Sequence, residues 1–293
     1  SSDVCSSDLP VFGENGMIVS TSKQASEAGI QILKKGGNAV DAAVAVGFAL
    51  AVTSSSNGNI GGGGFMVAAM ANGETFTLDH REKAPATAHR DLFLNDSGNV
   101  IPGMSLFSRA GSGVPGTVDG LIRALEDHGS GKISLRQALA PAIRLAEKGF
   151  KISHYEARRF NGYEGFFERN EAAAAIFIRK DNKPWKKGDT LVQKDLAKTL
   201  KRIAKFGRDG FYSGPVADLI VAEMKRGNGL ISHDDLENYS SMYRDPVKGI
   251  YKGHEIISMG PPSSGGALLI NMMNMLENYP VDSLGWNSSD YIH

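Results

Sequence analysis

Residues 39–52 read AVDAAVAVGFALAV and are apolar on nearly every side of a helix. A helix of this kind has no face that suits water, so other elements must cover it all round. It is too short to span a membrane, which takes about 20 apolar residues. Gly36 and Gly37 end a preceding helix over 22–35, and Asn38 is a good N-cap for the apolar one. The sequence therefore predicts a helix buried inside a globular fold.

Strands are expected on both sides of a helical middle region. Asn72-Gly73 between two apolar runs is a strong signal for a tight β-hairpin. Short strands are predicted for residues 16–20, 65–70, 74–79 and 247–259. Strands towards both ends with helices between them indicate an α/β or α+β layered sandwich.

Charge and composition argue against several functions. Lys plus Arg and Asp plus Glu each number 32, so the formal net charge is zero and the basic excess of a general nucleic-acid binder is missing. None of the 7 histidines stands in an HExxH-type pair, so no metal site is predicted. The single cysteine, Cys5, cannot form a disulfide within the chain. We predict no nucleic-acid partner, no membrane span in this chain, no metal and no cofactor.

Two small-residue motifs have a structural and a functional interpretation. The glycine run 61–64 lacks the dinucleotide-binding pattern, because Met66 stands where its third glycine would fall. We interpret the run as allowing close backbone packing near the site. No GxSxG motif is present, so a Ser–His–Asp triad is not predicted. Ser263-Ser264 is either a nucleophile at a helix N-terminus or a turn with serine N-caps, and the turn is favoured.

Arg81 is the candidate binding residue. It follows the second hairpin strand in the sequence Asp79-His80-Arg81-Glu82. A guanidinium at the end of a sheet can hold a substrate carboxylate through two parallel hydrogen bonds. The alternative is a surface arginine paired with Asp79 or Glu82, and the residues alone favour that alternative.

Seven motifs together resemble one family, the γ-glutamyltranspeptidases or glutathione hydrolases. Each motif alone is weak, but the ordered set is highly specific and covers essentially residues 16–293. The matching stretches are 36–43 (GGNAVDAA), 61–65 (GGGGF), 79–85 (DHREKAP), 113–116 (GVPG), 187–189 (KGD), 207–212 (GRDGFY) and 261–266 (PPSSGG).

The resemblance implies an α+β fold of the N-terminal-nucleophile hydrolases, a four-layer αββα sandwich. Such proteins are made as a precursor that cuts itself into a large and a small subunit. The N-terminal Thr of the small subunit, with its own α-amino group as base, attacks the γ-carbonyl of a γ-glutamyl amide such as glutathione. Water, an amino acid or a peptide then accepts the γ-glutamyl group. The implied partners are the γ-glutamyl substrate, the acceptor and the small subunit from the same precursor.

The resemblance also assigns roles within this chain. Arg81 is implied to bind the α-carboxylate of the γ-glutamyl group, and no catalytic residue maps here. Residues 1–9 (SSDVCSSDL) look like a non-native, adapter-like leader. Residues 10–293 form the large-subunit region, which we expect to stop before the self-cleavage site, leaving an incomplete sandwich. The fragment alone is then expected to be inactive, and a periplasmic or extracellular location is implied.

Two alternatives stay open at this point. One is a related N-terminal-nucleophile acylase that acts on cephalosporin (glutaryl) or polyglutamate substrates. The other is a catalytically inactive scaffold chain.

Overall fold

The computed structural model describes residues 12–293, and the predicted leader 1–9 with Cys5 lies outside them. Helices form more of the described range than strands do. They are α1 (Lys23–Lys34), α2 (Ala39–Thr53), α3 (Met104–Phe107), α4 (Thr117–His128), α5 (Leu135–Lys148), α6 (His154–Gly162), α7 (Glu164–Phe167), α8 (Glu171–Phe177), α9 (Lys194–Phe206), α10 (Asp209–Tyr212), α11 (Gly214–Arg226), α12 (His233–Glu237), α13 (Gly265–Leu276) and α14 (Ser289–Ile292). None of these helices is both long and apolar enough to cross a membrane.

Antiparallel strands form three separate small sheets. The first has the order β1–β2–β5, and the other two are the pairs β3–β4 and β6–β7. The strands are β1 (Phe65–Ala69), β2 (Thr75–Asp79), β3 (Phe150–Lys151), β4 (Thr190–Leu191), β5 (Met242–Arg244), β6 (Val247–Tyr251) and β7 (His254–Ser258). The described chain therefore combines helices with small antiparallel sheets, which confirms the α+β class.

Most of helix α2 is buried inside the fold, as its apolar sequence predicts, but Ala39 and Ala43 on one face are exposed. Val44 and Phe48 are fully enclosed, and α1, α4 and α5 pack around the helix. Its N-terminus has a capping box in which the Asp41 N–H donates to Asn38 Oδ1 (2.9 Å) and the Asn38 N–H donates to Asp41 Oδ2 (2.8 Å). The Asn38 side-chain amide also donates to the His128 carbonyl (2.8 Å). These contacts join the start of α2 to the end of α4.

The predicted hairpin is confirmed and lies next to α4. Its register runs from Phe65 opposite Asp79 to Ala69 opposite Thr75. Gly73 in the turn has a φ of +86°, a conformation that glycine adopts without strain. Strand β5 pairs with the other side of β2, and Leu78 of β2 is fully buried. Strand β2 is thus fixed along both edges.

Two details of the strand predictions were wrong. Residues 16–20 form no strand, and no other part of 12–293 pairs with them. Among the apolar side chains of this run only Ile18 is half-buried, against α1 beside Gly29, while Met17 and Val19 are exposed. Strand β5 was not predicted, since its Met242–Arg244 segment is too short to carry a strand pattern.

Candidate functional site

Arg81 lies directly after strand β2. The β1–β2 ladder ends in a pair in which the Gly64 N–H donates to the His80 carbonyl (3.2 Å) and the His80 N–H donates to the Gly64 carbonyl (3.0 Å). The next backbone N–H, that of Arg81, donates to Asp79 Oδ1 at 3.0 Å. The Arg81 side chain is exposed and forms no hydrogen bond or ion pair with any residue of 12–293. A free guanidinium on a fixed strand end suits an external carboxylate.

The alternative in which Arg81 pairs with Asp79 or Glu82 is not what the structure shows. Asp79 Oδ2 accepts from Arg244 Nε at 2.6 Å, and the Asp79 side chain is only 9% exposed. Glu82 is exposed and has no ion pair within the described chain. Asp79 therefore holds the backbone of Arg81 while Arg244 neutralises its charge. The guanidinium of Arg81 is therefore not paired with either carboxylate and can bind a ligand.

The glycine run 61–64 packs directly on the Arg81 backbone. A Cβ atom on Gly63 would stand 2.5 Å from the His80 carbonyl oxygen and 2.8 Å from the Arg81 Cα. Real Cβ atoms essentially never come within 3.0 Å of another heavy atom, so only glycine fits here. The run serves close backbone packing beside the candidate residue, in agreement with the structural interpretation of its sequence.

Helix α4 packs against the glycine loop and against His80 at the end of β2. The Gly116 and Thr117 N–H groups at its N-terminus donate to the Gly62 carbonyl (2.8 and 3.0 Å). A Cβ on Gly120 would lie 2.2 Å from the Cβ of His80, so the helix backbone reaches the strand itself. This packing buries the His80 ring, and burial lowers the pKa of His80. The imidazole is therefore neutral near pH 7, and its Nδ1 has no hydrogen-bond partner in the described residues.

Tyr239 makes a third contact with the Arg81 backbone. Its hydroxyl donates to the Arg81 carbonyl at 2.8 Å, and the side chain is buried. Val114 pairs with Lys83 two residues further along through backbone bonds of 2.7 and 3.2 Å. Sequence reasoning did not identify Tyr239, because the contact spans 158 residues and no local pattern marks the position.

A cleft of about 660 Å³ lies beside the candidate residue. His80 and Glu82, the two chain neighbours of Arg81, line it together with Gly62, Gly63 and apolar side chains of α2 and β1. Another cleft, of about 750 Å³, lies between β2, β5 and the end of α4, and its lining does not include the residues next to Arg81. Arg81 itself is not part of the lining of the smaller cleft, which adjoins the candidate residue only through its neighbours His80 and Glu82.

The remaining sequence candidates lie elsewhere. Ser263-Ser264 precedes α13, which packs on the β6–β7 sheet. The Gly265 N–H donates to Ser263 Oγ (3.3 Å), as expected for the turn. Ser264 makes no side-chain capping bond in the described structure, so the predicted N-cap through that hydroxyl is wrong. Residues 12–293 contain no cluster of three or more His, Cys, Asp or Glu side chains suited to a metal ion.

Comparison with known proteins places this geometry in a fold class. The structure matches the crystal structure of Helicobacter pylori γ-glutamyltranspeptidase with a TM-score of 0.93 and 45% sequence identity, over 97% of this chain and 81% of that one. The fold is thus that of the N-terminal-nucleophile hydrolases, as predicted. A sequence profile described as gamma-glutamyltranspeptidase matches residues 25–293. The chain belongs to the γ-glutamyltranspeptidase family.

Two relatives of this chain have different names. The "Glutathione hydrolase proenzyme" of Pseudomonas sp. (strain A14) is 46% identical over 98% of this chain and 50% of its own length. The "Acylase ACY 1 proenzyme" of Pseudomonas sp. (strain SE83) is 36% identical over 97% of this chain and 51% of its own length. The chain spans about half the length of the curated relatives it matches.

Proposed function

We propose that the full-length protein containing this chain cleaves γ-glutamyl amides such as glutathione. It transfers the γ-glutamyl group to water, an amino acid or a peptide through a Thr acyl-enzyme. Family membership and the 46% identity to a glutathione hydrolase proenzyme support this activity. The observation that carries the proposal is the unpaired Arg81 guanidinium, fixed at its backbone beside a cleft of suitable size.

The proposed role of this chain is substrate recognition. Arg81 holds the α-carboxylate of the γ-glutamyl group through paired, charge-assisted hydrogen bonds. Those bonds orient the γ-carbonyl, which the α-carbon and two methylene groups separate from the α-carboxylate, towards the nucleophile. The nucleophilic Thr belongs to the small subunit, which the same precursor supplies. The word "proenzyme" in the names of the relatives supports this division of the precursor.

The main alternative is an acylase for glutaryl substrates, which the 36% identity to an acylase proenzyme supports more weakly. A glutaryl group has the same terminal carboxylate as a γ-glutamyl group and lacks only the α-amino group. Arg81 therefore serves both substrates and does not discriminate between them. The activity therefore has to be assigned by comparing the turnover of γ-glutamyl and glutaryl substrates.

The test measures release of p-nitroaniline from γ-glutamyl-p-nitroanilide and from glutaryl-p-nitroanilide by the full-length, processed protein. We expect kcat/KM at least ten times higher for the γ-glutamyl substrate. A preference for the glutaryl substrate assigns the acylase function instead. Absence of turnover with both, in a protein that is folded and processed, supports the inactive scaffold.

We also propose a periplasmic or extracellular location, which rests on the resemblance to the family alone. Fractionation of cells that express the full-length gene tests it. The protein and the γ-glutamyl activity are expected together in the periplasmic or culture fraction. Recovery of both in the cytoplasmic fraction would contradict the proposal.

A further inference from the structure

The Arg81 side chain forms no hydrogen bond or ion pair with residues 12–293, so its direction depends on its backbone. Three contacts fix that backbone. The N–H donates to Asp79, the Cα lies against Gly63, and the carbonyl accepts from the Tyr239 hydroxyl. Two of these contacts come from the hairpin itself and its preceding loop. The third comes from a segment far along the chain.

The Tyr239 hydroxyl is a dependable donor. Tyr239 as a residue is only 3% exposed, and its ring lies parallel to the ring of Tyr212, with 5.8 Å between centroids. Burial raises the pKa of Tyr239 well above its usual value, so the phenol stays protonated across the physiological range. The hydroxyl can therefore donate to the Arg81 carbonyl throughout that range.

Arg208 fixes the backbone of Tyr239 in turn. Its guanidinium donates to the carbonyls of Glu237 (2.8 Å) and Tyr239 (2.5 Å), just after helix α12. Its Nε donates to Asp119 Oδ1 on α4 (2.9 Å), and the other oxygen of Asp119 accepts the Ser241 N–H (2.8 Å). Arg208 and Asp119 thus connect the backbone at Tyr239 to helix α4, which also packs against the end of β2.

Two further bonds dock the chain after Arg81 onto the same segment. Lys83 Nζ donates to the Ser240 carbonyl at 2.7 Å, and the Ala86 N–H donates to Asp235 Oδ1 at 2.8 Å. With the bond from Tyr239, three hydrogen bonds join residues 81–86 to residues 235–240. Only the bond from Tyr239 reaches Arg81 itself.

We propose that Tyr239 is a positioning residue for Arg81 and sets the affinity of the site for the substrate α-carboxylate. This inference rests on the proposed function. Without the hydroxyl, the Arg81 carbonyl loses its donor and the peptide bond that follows it is free to turn. The guanidinium then samples directions in which it cannot meet the carboxylate with both nitrogen atoms.

The test compares Tyr239→Phe with Tyr243→Phe in the full-length enzyme. The first variant keeps the ring stacking and removes only the hydroxyl. Tyr243 also donates a 2.8 Å hydroxyl bond, but to Asp127, so its variant controls for loss of a similar bond elsewhere. We expect Tyr239→Phe to raise KM for γ-glutamyl-p-nitroanilide about 3- to 10-fold with kcat within about 2-fold, as loss of one hydrogen bond predicts. Tyr243→Phe should leave both constants unchanged.

A double-variant cycle separates positioning from general damage. In an Arg81→Ala background, Tyr239→Phe should change KM by less than about 2-fold, because the residue it positions is gone. An unchanged KM in the single variant, or an equal effect with and without Arg81, overturns the proposal.

Amide hydrogen exchange provides a readout that does not need turnover. Peptides covering residues 79–86 should exchange faster in Tyr239→Phe than in the wild type or Tyr243→Phe. If the wild type turns over no γ-glutamyl substrate, the proposed function fails, and exchange in this segment then decides the positioning role. Unchanged exchange there overturns it.

Discussion

Asp79 and Arg244 form an ion pair across strands β2 and β5, with 2.6 Å between Oδ2 and Nε. The second oxygen of the same carboxylate holds the backbone of Arg81. One buried carboxylate thus fixes the position of one arginine and is neutralised by another. This arrangement explains how Arg81 can follow an acidic residue by two positions and still present a free guanidinium.

Replacing Arg81 should abolish efficient use of γ-glutamyl substrates. Arg81→Lys keeps the charge but cannot form two parallel bonds to a carboxylate, so we expect kcat/KM to fall about 10- to 100-fold. The side chain is exposed, and stability should change by less than about 0.5 kcal/mol. Steady-state kinetics and thermal denaturation of the full-length protein check both. Arg90→Lys, at another exposed arginine, is the matched control. Near-normal turnover of Arg81→Lys would exclude the assigned role.

Removing Arg244 should affect both stability and substrate binding. Arg244→Ala leaves the mostly buried Asp79 carboxylate without its cation, which should cost about 1–3 kcal/mol of unfolding free energy. We also expect a higher KM, because Arg81 then turns its guanidinium towards Asp79. Urea denaturation and kinetics measure the two effects.

The added substitution Asp79→Asn provides the control for that explanation. Asparagine can still accept the Arg81 N–H through its side-chain oxygen but attracts no guanidinium charge. The double variant Asp79→Asn, Arg244→Ala should recover much of the wild-type KM. If its KM stays as high as in Arg244→Ala, competition for Arg81 is not the cause.

A single methyl group at Gly63 should disturb the site strongly. In Gly63→Ala the new Cβ collides with the His80 carbonyl and the Arg81 Cα, so the loop and the strand end must separate. We expect a loss of about 1–3 kcal/mol in stability, together with weaker substrate binding. Gly162→Ala is the control, because nothing lies within 4 Å of its Cβ position. Equal behaviour of the two variants in denaturation and KM would rule out the close contact.

Stability should fall at mildly acidic pH through His80. Burial lowers the pKa of this histidine in the folded state, while the unfolded chain titrates near 6.5. The unfolded state therefore takes up the proton first as the pH falls. The stability contribution of the neutral ring is complete above pH 6.5 and is lost as the pH drops towards the lowered pKa of the folded protein.

His80→Phe should weaken the dependence of stability on pH, because phenylalanine also has a planar ring but does not titrate. Unfolding free energies measured between pH 7.5 and pH 5 should show a smaller slope than in the wild type. His254→Phe, at an exposed histidine, should keep the wild-type slope. A wild-type slope in His80→Phe would mean that another group controls this pH range.

Local signals in the sequence predicted most of the elements near the site. The apolar run of α2, the Asn38 cap and the Asn72-Gly73 turn each act over a few residues, and the structure confirms all three. Arg81 was found through its motif and the resemblance. The more distant residues of the site could not be found that way. Tyr239, which binds the Arg81 carbonyl, lies 158 residues from Arg81, and Arg244, which pairs with Asp79, lies 165 residues from Asp79. Strand β5 was missed because its three residues are too few to carry a strand pattern, and its pairing with β2 is long-range.

The separation of 158 positions between Arg81 and Tyr239 also determines the order of events during synthesis. The hairpin that carries Arg81 depends on neighbouring residues and can form within microseconds of leaving the ribosome. At about 5–20 residues per second, Tyr239 follows roughly 10–30 s later. For that interval the Arg81 carbonyl has no phenolic donor. The arginine is therefore placed early in translation, and its recognition geometry is completed only when the later segment has emerged and docked.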